Sequence, residues 1–309
     1  MKKFTSFTLL SIAICMFVLP AVISAQFGVM TKADRIDFTS EWKGERFPDG
    51  RPKVPDDILK RMKDVAIEEA WGVLMGHGYA RQFEGDWDNM HPDRVIVGRA
   101  VTAYFMPHRP DVDAETARRG KEKGCIGGQN SWVIDTLVHN DLIVVDMFLS
   151  TNFAGDNLAN SIAAKSGTGM VIYGGNRDLD GFWDIPNFNT FAKFWNPKGI
   201  DDVTLMGINT PARIGPVTVM PGDVVLGRRE GVIFIPPHLA QQVVERSEIV
   251  RLRDEFGHNR LREGKYTPGE IDRKWSEVME EDYTDWLKEN INDLPVPAKQ
   301  IREMLRQRE

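Results

Sequence analysis

Cysteine is scarce in this chain: Cys15 and Cys125 are the two such residues in 309. Cys15 lies in an N-terminal segment that reads as a removable leader, which leaves one thiol and excludes a disulfide within one chain. Beyond residue 25 no apolar run is long enough to cross a bilayer as a helix. Basic charge is in deficit, with 39 Lys and Arg against 45 Asp and Glu and a formal net charge of −6 at pH 7. No basic patch or basic–aromatic stripe offsets that deficit, so nucleic acid is not an expected partner. Internal repeats and low-complexity tracts are absent, and His77, His91, Asp86 and Asp88 show no metal-ligand spacing.

What is present begins with the leader. Lys2-Lys3 form a basic start, Leu9 to Val22 an apolar stretch, and Ile23-Ser24-Ala25 a small-residue end, the pattern of a secretory signal peptide at 1–25. A membrane anchor is the alternative, but Ser11 and Pro20 interrupt the run. The expected location is the periplasm or the exterior, with no membrane attachment after cleavage. Removing residues 1–25 from 309 leaves 284, with a net charge of −8. That length suits one large domain with extensions. The expected division is a polar, extended arm at 26–54, an α/β domain at 55–265 and a helical extension at 266–309.

The chain is organised around Gly155 to Asp178. Leu142 to Phe148 and Met170 to Tyr173 are short apolar runs that read as buried strands. Asn157 to Ser166 reads as a helix stopped by Gly167, and Gly174-Gly175 as a turn. Strand, helix and strand make a right-handed crossover with parallel strands. Asp156 and Arg177-Asp178 then meet outside the strand carboxyl ends, where ligands gather in open α/β sheets. The first helical N–H groups, at Asn157 and Leu158, make an anion site. Arg177 adds a planar fork for a carboxylate. Asp156 and Asp178 supply hard oxygens suited to Mg²⁺ or Mn²⁺ with waters retained. Such a corner would hold a 2-oxo acid and stabilise its enolate. A helix cap beside a surface ion pair is the competing account.

These residues resemble the RraA-like family, which contains a regulator of ribonuclease activity and the class II 4-hydroxy-4-methyl-2-oxoglutarate aldolases. The resemblance rests on Gly155-Asp156, on Gly174-Gly-Asn-Arg177-Asp178, and on Val97 to Thr102, Pro221-Gly-Asp223 and Gly231 to Pro236. It covers roughly residues 55 to 275. It implies a swivelling β/β/α-type domain, here with added C-terminal helices, and a homo-oligomer, trimer or hexamer, with sites between subunits. It implies that Asp178 binds Mg²⁺ or Mn²⁺ and that Asp156 orients a water on the metal. Gly155, Asn157, Leu158 and Arg177 would hold the substrate, and Glu255 would reach in from a neighbouring subunit. The implied activity is cleavage of a 4-hydroxy-2-oxo acid to pyruvate or a related 2-oxo acid, with oxaloacetate decarboxylation alongside. Gly181 and Arg229-Glu230 depart from the family pattern. A non-catalytic regulator, and an exported lyase or hydratase for sugar-derived acids, are the other functions the resemblance leaves open.

Elsewhere, Pro107 to Gly128 reads as an insertion with a solvated charge run, and Cys125 as an unreactive thiol. The aromatics from Trp183 to Trp195 read as a pocket wall, core or subunit contact. Ile214 to Gly227 reads as a hairpin turning at Pro221-Gly-Asp223. Leu239 to Arg262 reads as a helix, and Thr267 opens another that runs to about Glu289. Trp275 and Trp286 on that last helix would be costly to expose in a monomer.

Overall fold

The computed structural model describes residues 30–306; the leader expected at 1–25 lies outside the described residues. Segment 30–54 is not an extended arm. Thr31 Oγ1 accepts the Asp34 amide and Asp34 Oδ2 accepts the Thr31 amide, a reciprocal cap that starts helix α1 (Lys32–Phe38). The segment is tied down by charge. Arg51, 2% exposed, donates to both oxygens of the fully buried Asp141 at 3.2 and 3.3 Å. Helices α2 (Asp56–Met62) and α3 (Ile67–Gly76) follow, burying Ile58, Leu59, Met62, Ala70 and Leu74.

The sheet is assembled from β1 (Phe83–Glu84), β2 (Asp88–Asn89) and the long β3 (Ile96–Pro107). After α4 (Pro110–Glu122) and α5 (Gln129–Ile134) come β4 (Asp141–Asp146), α6 (Asp156–Ser166), β5 (Met170–Asn176), α7 (Leu179–Trp183) and β6 (Thr190–Trp195). The chain continues through β7 (Val203–Ile208), β8 (Ala212–Ile214), β9 (Val217–Val219), β10 (Val224–Arg228) and β11 (Gly231–Ile235). Strands β3, β4, β5 and β6 are parallel neighbours, and β10 and β11 join antiparallel on the far side of β3. The result is a mixed α/β fold with a mixed sheet, and the expected β4–α6–β5 crossover is present.

Strand alternation divides the core. Val101, Ala103, Ile143, Val145 and Ile172 pack under α5, α6 and α7. Ala100, Leu142, Val144 and Val171 face the other way, against Ile214, Val217 and Val219 of the β8–β9 hairpin. The charge run on α4 is the solvated face expected, with Arg118 paired to Glu115 and Glu122.

Two expectations are corrected, and one left open is decided. The hairpin in the 214–227 region joins β8 to β9 at Gly215, which has φ +57°, and the Pro221-Gly-Asp223 turn instead carries the chain from that hairpin into the main sheet. Of the three readings left open for the 183–195 aromatics, core packing holds for Phe188 and Phe191, which with Phe182 are fully buried. The helix opened by Thr267 is one turn, α9 (Pro268–Ile271), and Ser276 caps a separate α10 (Glu277–Asn290). Alpha8 (Ala240–Arg262) follows a short 3₁₀ turn at Pro237–Leu239, and α11 (Ala298–Arg306) ends the described chain. Trp275 and Trp286 pack on Phe256 of α8 and on Tyr283, within the same chain. Their burial therefore needs no second subunit.

Candidate functional site

The corner is built by a short stretch that runs beside β5. Gly175 N–H donates to Thr151 O at 3.0 Å, Phe153 N–H to Gly175 O at 2.8 Å, and Arg177 N–H to Ala154 O at 3.0 Å. Gly174 and Gly175 are thus inside the strand and do not turn the chain. They stay bare because a Cβ on Gly174 would lie 3.0 Å from Thr151 O, and one on Gly175 would strike Phe194 and Asn152. This zipper carries Gly155 against the residues that follow β5. A Cβ on Gly155 would press on Asp178 Oδ2 and come within 3.0 Å of Arg177 Nε. Gly155, Arg177 and Asp178 are therefore in one place, as the sequence predicts.

Asp156 begins α6, one residue after its cap Gly155. Its carboxylate lies against α7, since a Cβ on Gly181 would be 2.6 Å from Asp156 Cβ and 2.7 Å from its Oδ2. This explains the departure at 181. The N-terminus of α6 and the turn of α7 approach too closely for any side chain there, and the neighbouring Asp180 is exposed. Arg177 and Asp178 have side chains 45% and 42% exposed, with Nε 3.5 Å from Oδ2. Asp178 holds φ 63° and ψ 46°, a left-handed conformation that asparagine and aspartate tolerate better than other residues. Such a strained position at a half-exposed carboxylate is common where geometry serves a ligand.

The proposed anion donors are already engaged. Asn157 N–H donates to Asp156 Oδ1 at 2.8 Å, and Leu158 N–H to Gly155 O at 3.1 Å. A substrate anion would have to displace the first of these, and Arg177, beside Asp178 at 3.5 Å, is the other donor of the corner. Glu255 sits on α8, where Asn259 donates to it at 3.4 Å. That helix packs on α2, α3 and α10, and no hydrogen bond or ion pair joins Glu255 to Asp156 or Arg177 within the described residues.

Sequence reading passed over Asp146, which it left inside an apolar run. Asp146 ends β4 on the face opposite α6, in register with Tyr173. Burial raises its pKa, while the Phe148 N–H bond at 2.8 Å and Arg213 work against that rise. The signal available was a charged residue closing a β-branched strand. His91, weighed as a metal ligand, packs its ring 4.4 Å from Trp183 and helps fix the end of α7. Among the described residues no group of three or more His, Cys, Asp or Glu is placed to hold a metal. Cys125 is free and half-buried.

Comparison with known proteins places this geometry in context. Protein DlpA of Legionella pneumophila is 25% identical over 163 residues, which are 52% of this chain and 24% of that protein. The chain thus spans about a quarter of the length of this relative. The fold is similar to the crystal structure of Streptomyces coelicolor RraAS2, described as an unusual member of the RNase ES inhibitor RraA family. That match has 21% identity and a TM-score of 0.57, over 67% of this chain and 98% of that one. An uncharacterised protein from Pseudomonas syringae pv. tomato matches with 19% identity and a TM-score of 0.59, over 74% and 98%. The family includes both class II aldolases, Mg²⁺-dependent ones among them, and RNase inhibitors, and its members are typically oligomeric. The RraA-like (Aldolase/RraA) pattern matches residues 64–234, and the chain belongs to that family.

Proposed function

We propose that this chain is a divalent-metal-dependent carbon–carbon lyase that cleaves a 4-hydroxy-2-oxo acid to pyruvate or a related 2-oxo acid. The observation that carries this reading is the packing of Asp156, Arg177 and Asp178 around Gly155 and Gly181. The donor set fits Mg²⁺ or Mn²⁺, which bind through one or two carboxylates and keep several waters. Asp178 would hold the ion, and Asp156 its water shell. When bound, the ion supplies positive charge for an enolate oxygen.

The chain's own residues would do the rest. Arg177 forms a two-pronged contact with the substrate carboxylate and fixes C2 at the corner. Its partial exposure leaves it reachable by a small acid. Asp156 is placed at the same corner to orient a water that accepts the proton of the 4-hydroxyl. Loss of that proton turns C4 into a carbonyl as the C3–C4 bond breaks. The electron pair moves to C3, and protonation there releases the 2-oxo acid. The enolate is common to oxaloacetate decarboxylation, which would be a side activity. Function in an exported setting, by a homo-oligomer with sites completed between subunits, is part of this proposal.

The test is 2-oxo acid release from a panel of 4-hydroxy-2-oxo acids, dicarboxylic and sugar-derived, with Mg²⁺ present. Release from at least one, abolished by Asp178→Asn, is the expected result. No release from any member would leave the corner a binding or regulatory surface.

A further inference from the structure

A second cavity lies away from the Arg177 corner. It has a volume of about 260 Å³ and is walled by Phe38 and Glu41 of the N-terminal segment, Tyr79, Met220, Asp223 and His238. Much of this wall comes from outside the family-matching region 64–234, since Phe38, Glu41 and His238 all lie beyond it. The register separates it from the first site. Val224 pairs with Arg99, and Arg99 with Asp141, so Asp223 sits level with the amino end of β4. Asp156 and Arg177 lie beyond the carboxyl ends of β4 and β5. Six residues of strand are about 20 Å.

Asp223 is the unusual member. It is 3% exposed, and its Oδ2 accepts the Met220 amide at 2.8 Å. Its other carboxyl oxygen receives no hydrogen bond among the described residues. That oxygen is not among the sealed, unpartnered polar atoms of the described residues, so it opens to the cavity, where a ligand can reach it. The charge around it has one sign. Glu41 is the other acid, and no Lys or Arg lines the cavity. His238 is held toward its neutral form by burial, and its Nε2 lies 3.4 Å from Tyr79 Oη. An anion would therefore meet two carboxyls and no counter-charge. The rings of Tyr79 and Phe38 offer faces for an alkyl stem or a cation. A volume near 260 Å³ equals roughly eight waters at about 30 Å³ each, enough for a ligand of some five to eight heavy atoms.

We propose that this cavity is a second binding site for a small organic cation of the primary-ammonium class, with Asp223 as its counter-ion. The ammonium donates to the unmatched Asp223 oxygen, and the stem lies against Tyr79 and Phe38. Burial pushes the Asp223 carboxyl up to about 8, with the Met220 amide opposing the shift. The groups facing it are that amide from the β9–β10 turn, Tyr79 from the loop after α3, Glu41 from the N-terminal segment and His238 from the 3₁₀ turn. None of them carries a positive charge at neutral pH. Binding the cation therefore expels the carboxyl proton, and affinity must rise with pH up to about 8.

Titration calorimetry on the full chain tests this with n-butylammonium, n-butanol and butyrate as probes. Saturable binding of n-butylammonium at pH 8 is expected, with butanol and butyrate at least roughly tenfold weaker and a roughly fivefold loss at pH 7. Asp223→Asn keeps an acceptor for the Met220 amide and should lose about tenfold or more. No saturable binding, equal binding of butanol, or affinity in the wild-type chain that does not change between pH 7 and 8 would overturn the proposal. The pH arm needs no variant, so a misfolded Asp223→Asn leaves the test intact. Catalysis at the Arg177 corner is independent of every outcome.

Discussion

At the scale of single residues, the corner depends on what is missing as much as on what is charged. Gly155 has φ −107°, which any residue can adopt, so its side chain is excluded by neighbours and not by backbone strain. Gly155→Ala would push on Asp178 Oδ2 and Arg177 Nε, both at the far ends of flexible side chains. The expected result is a loss of kcat/KM of about tenfold or more, with stability changed by no more than roughly 1 kcal/mol, about 2–4 °C in Tm. Steady-state kinetics beside a thermal melt check it, and a large melt shift with intact activity would contradict it. Arg177→Lys keeps the charge and loses the fork. It should cost roughly 1.5–3 kcal/mol in transition-state binding, about 10- to 100-fold in kcat/KM. An unchanged kcat/KM would reduce Arg177 to the partner of a surface ion pair. Asp156, Arg177 and Asp178 were legible because their residue types and spacing around a crossover are local features. The tight fit of Gly181 to Asp156 was not, because it is set by how α6 and α7 meet.

At the scale of elements, local patterns served well and long-range pairings did not. The β4–α6–β5 unit follows from two β-branched runs flanking a helical stretch with a glycine stop at Gly167, which takes φ +69°. Strand β9 goes instead to β8, because the tight turn at Gly215 lets two short strands pair before the chain re-enters the sheet. The N-terminal segment looked extended because its helix is short and its anchor is a distant charge. That anchor supplies a prediction. Arg51→Met leaves Asp141 buried with Arg99 Nε at 3.9 Å as its remaining ion partner, and should destabilise the chain by about 3–5 kcal/mol. Denaturant unfolding measures it, and an unchanged midpoint would show the segment to be loosely attached. The β9–β10 turn supplies another. Asp223 has its folded pKa raised from 3.8 to about 8, so the stability of its protonated form is full below about 3.8 and is lost as pH rises to about 8. Asp223→Asn should remove that decline, and parallel unfolding curves for both proteins from pH 5 to 8 would contradict the assignment.

At the scale of the whole molecule, the tryptophans of the C-terminal helices no longer argue for assembly, since Phe256 and Tyr283 cover them. The exposed apolar side chains near the corner argue for it instead. Trp183 is 53% exposed and Leu179 38%, both on α7 directly after Arg177-Asp178, and Leu149 is 48% exposed in the loop before α6. Light scattering of the chain should give a homo-oligomer, a trimer or a multiple of it. A monomer with full activity would remove Glu255 from the site. The central claim is that Asp178 and Asp156 hold a divalent ion on which carbon–carbon cleavage depends. Its most direct test is 2-oxo acid release by the chelator-stripped protein before and after Mg²⁺ or Mn²⁺ is returned. The account predicts no turnover without the ion, recovery with it, and none in Asp178→Asn under either condition; full turnover by the metal-free protein would contradict it.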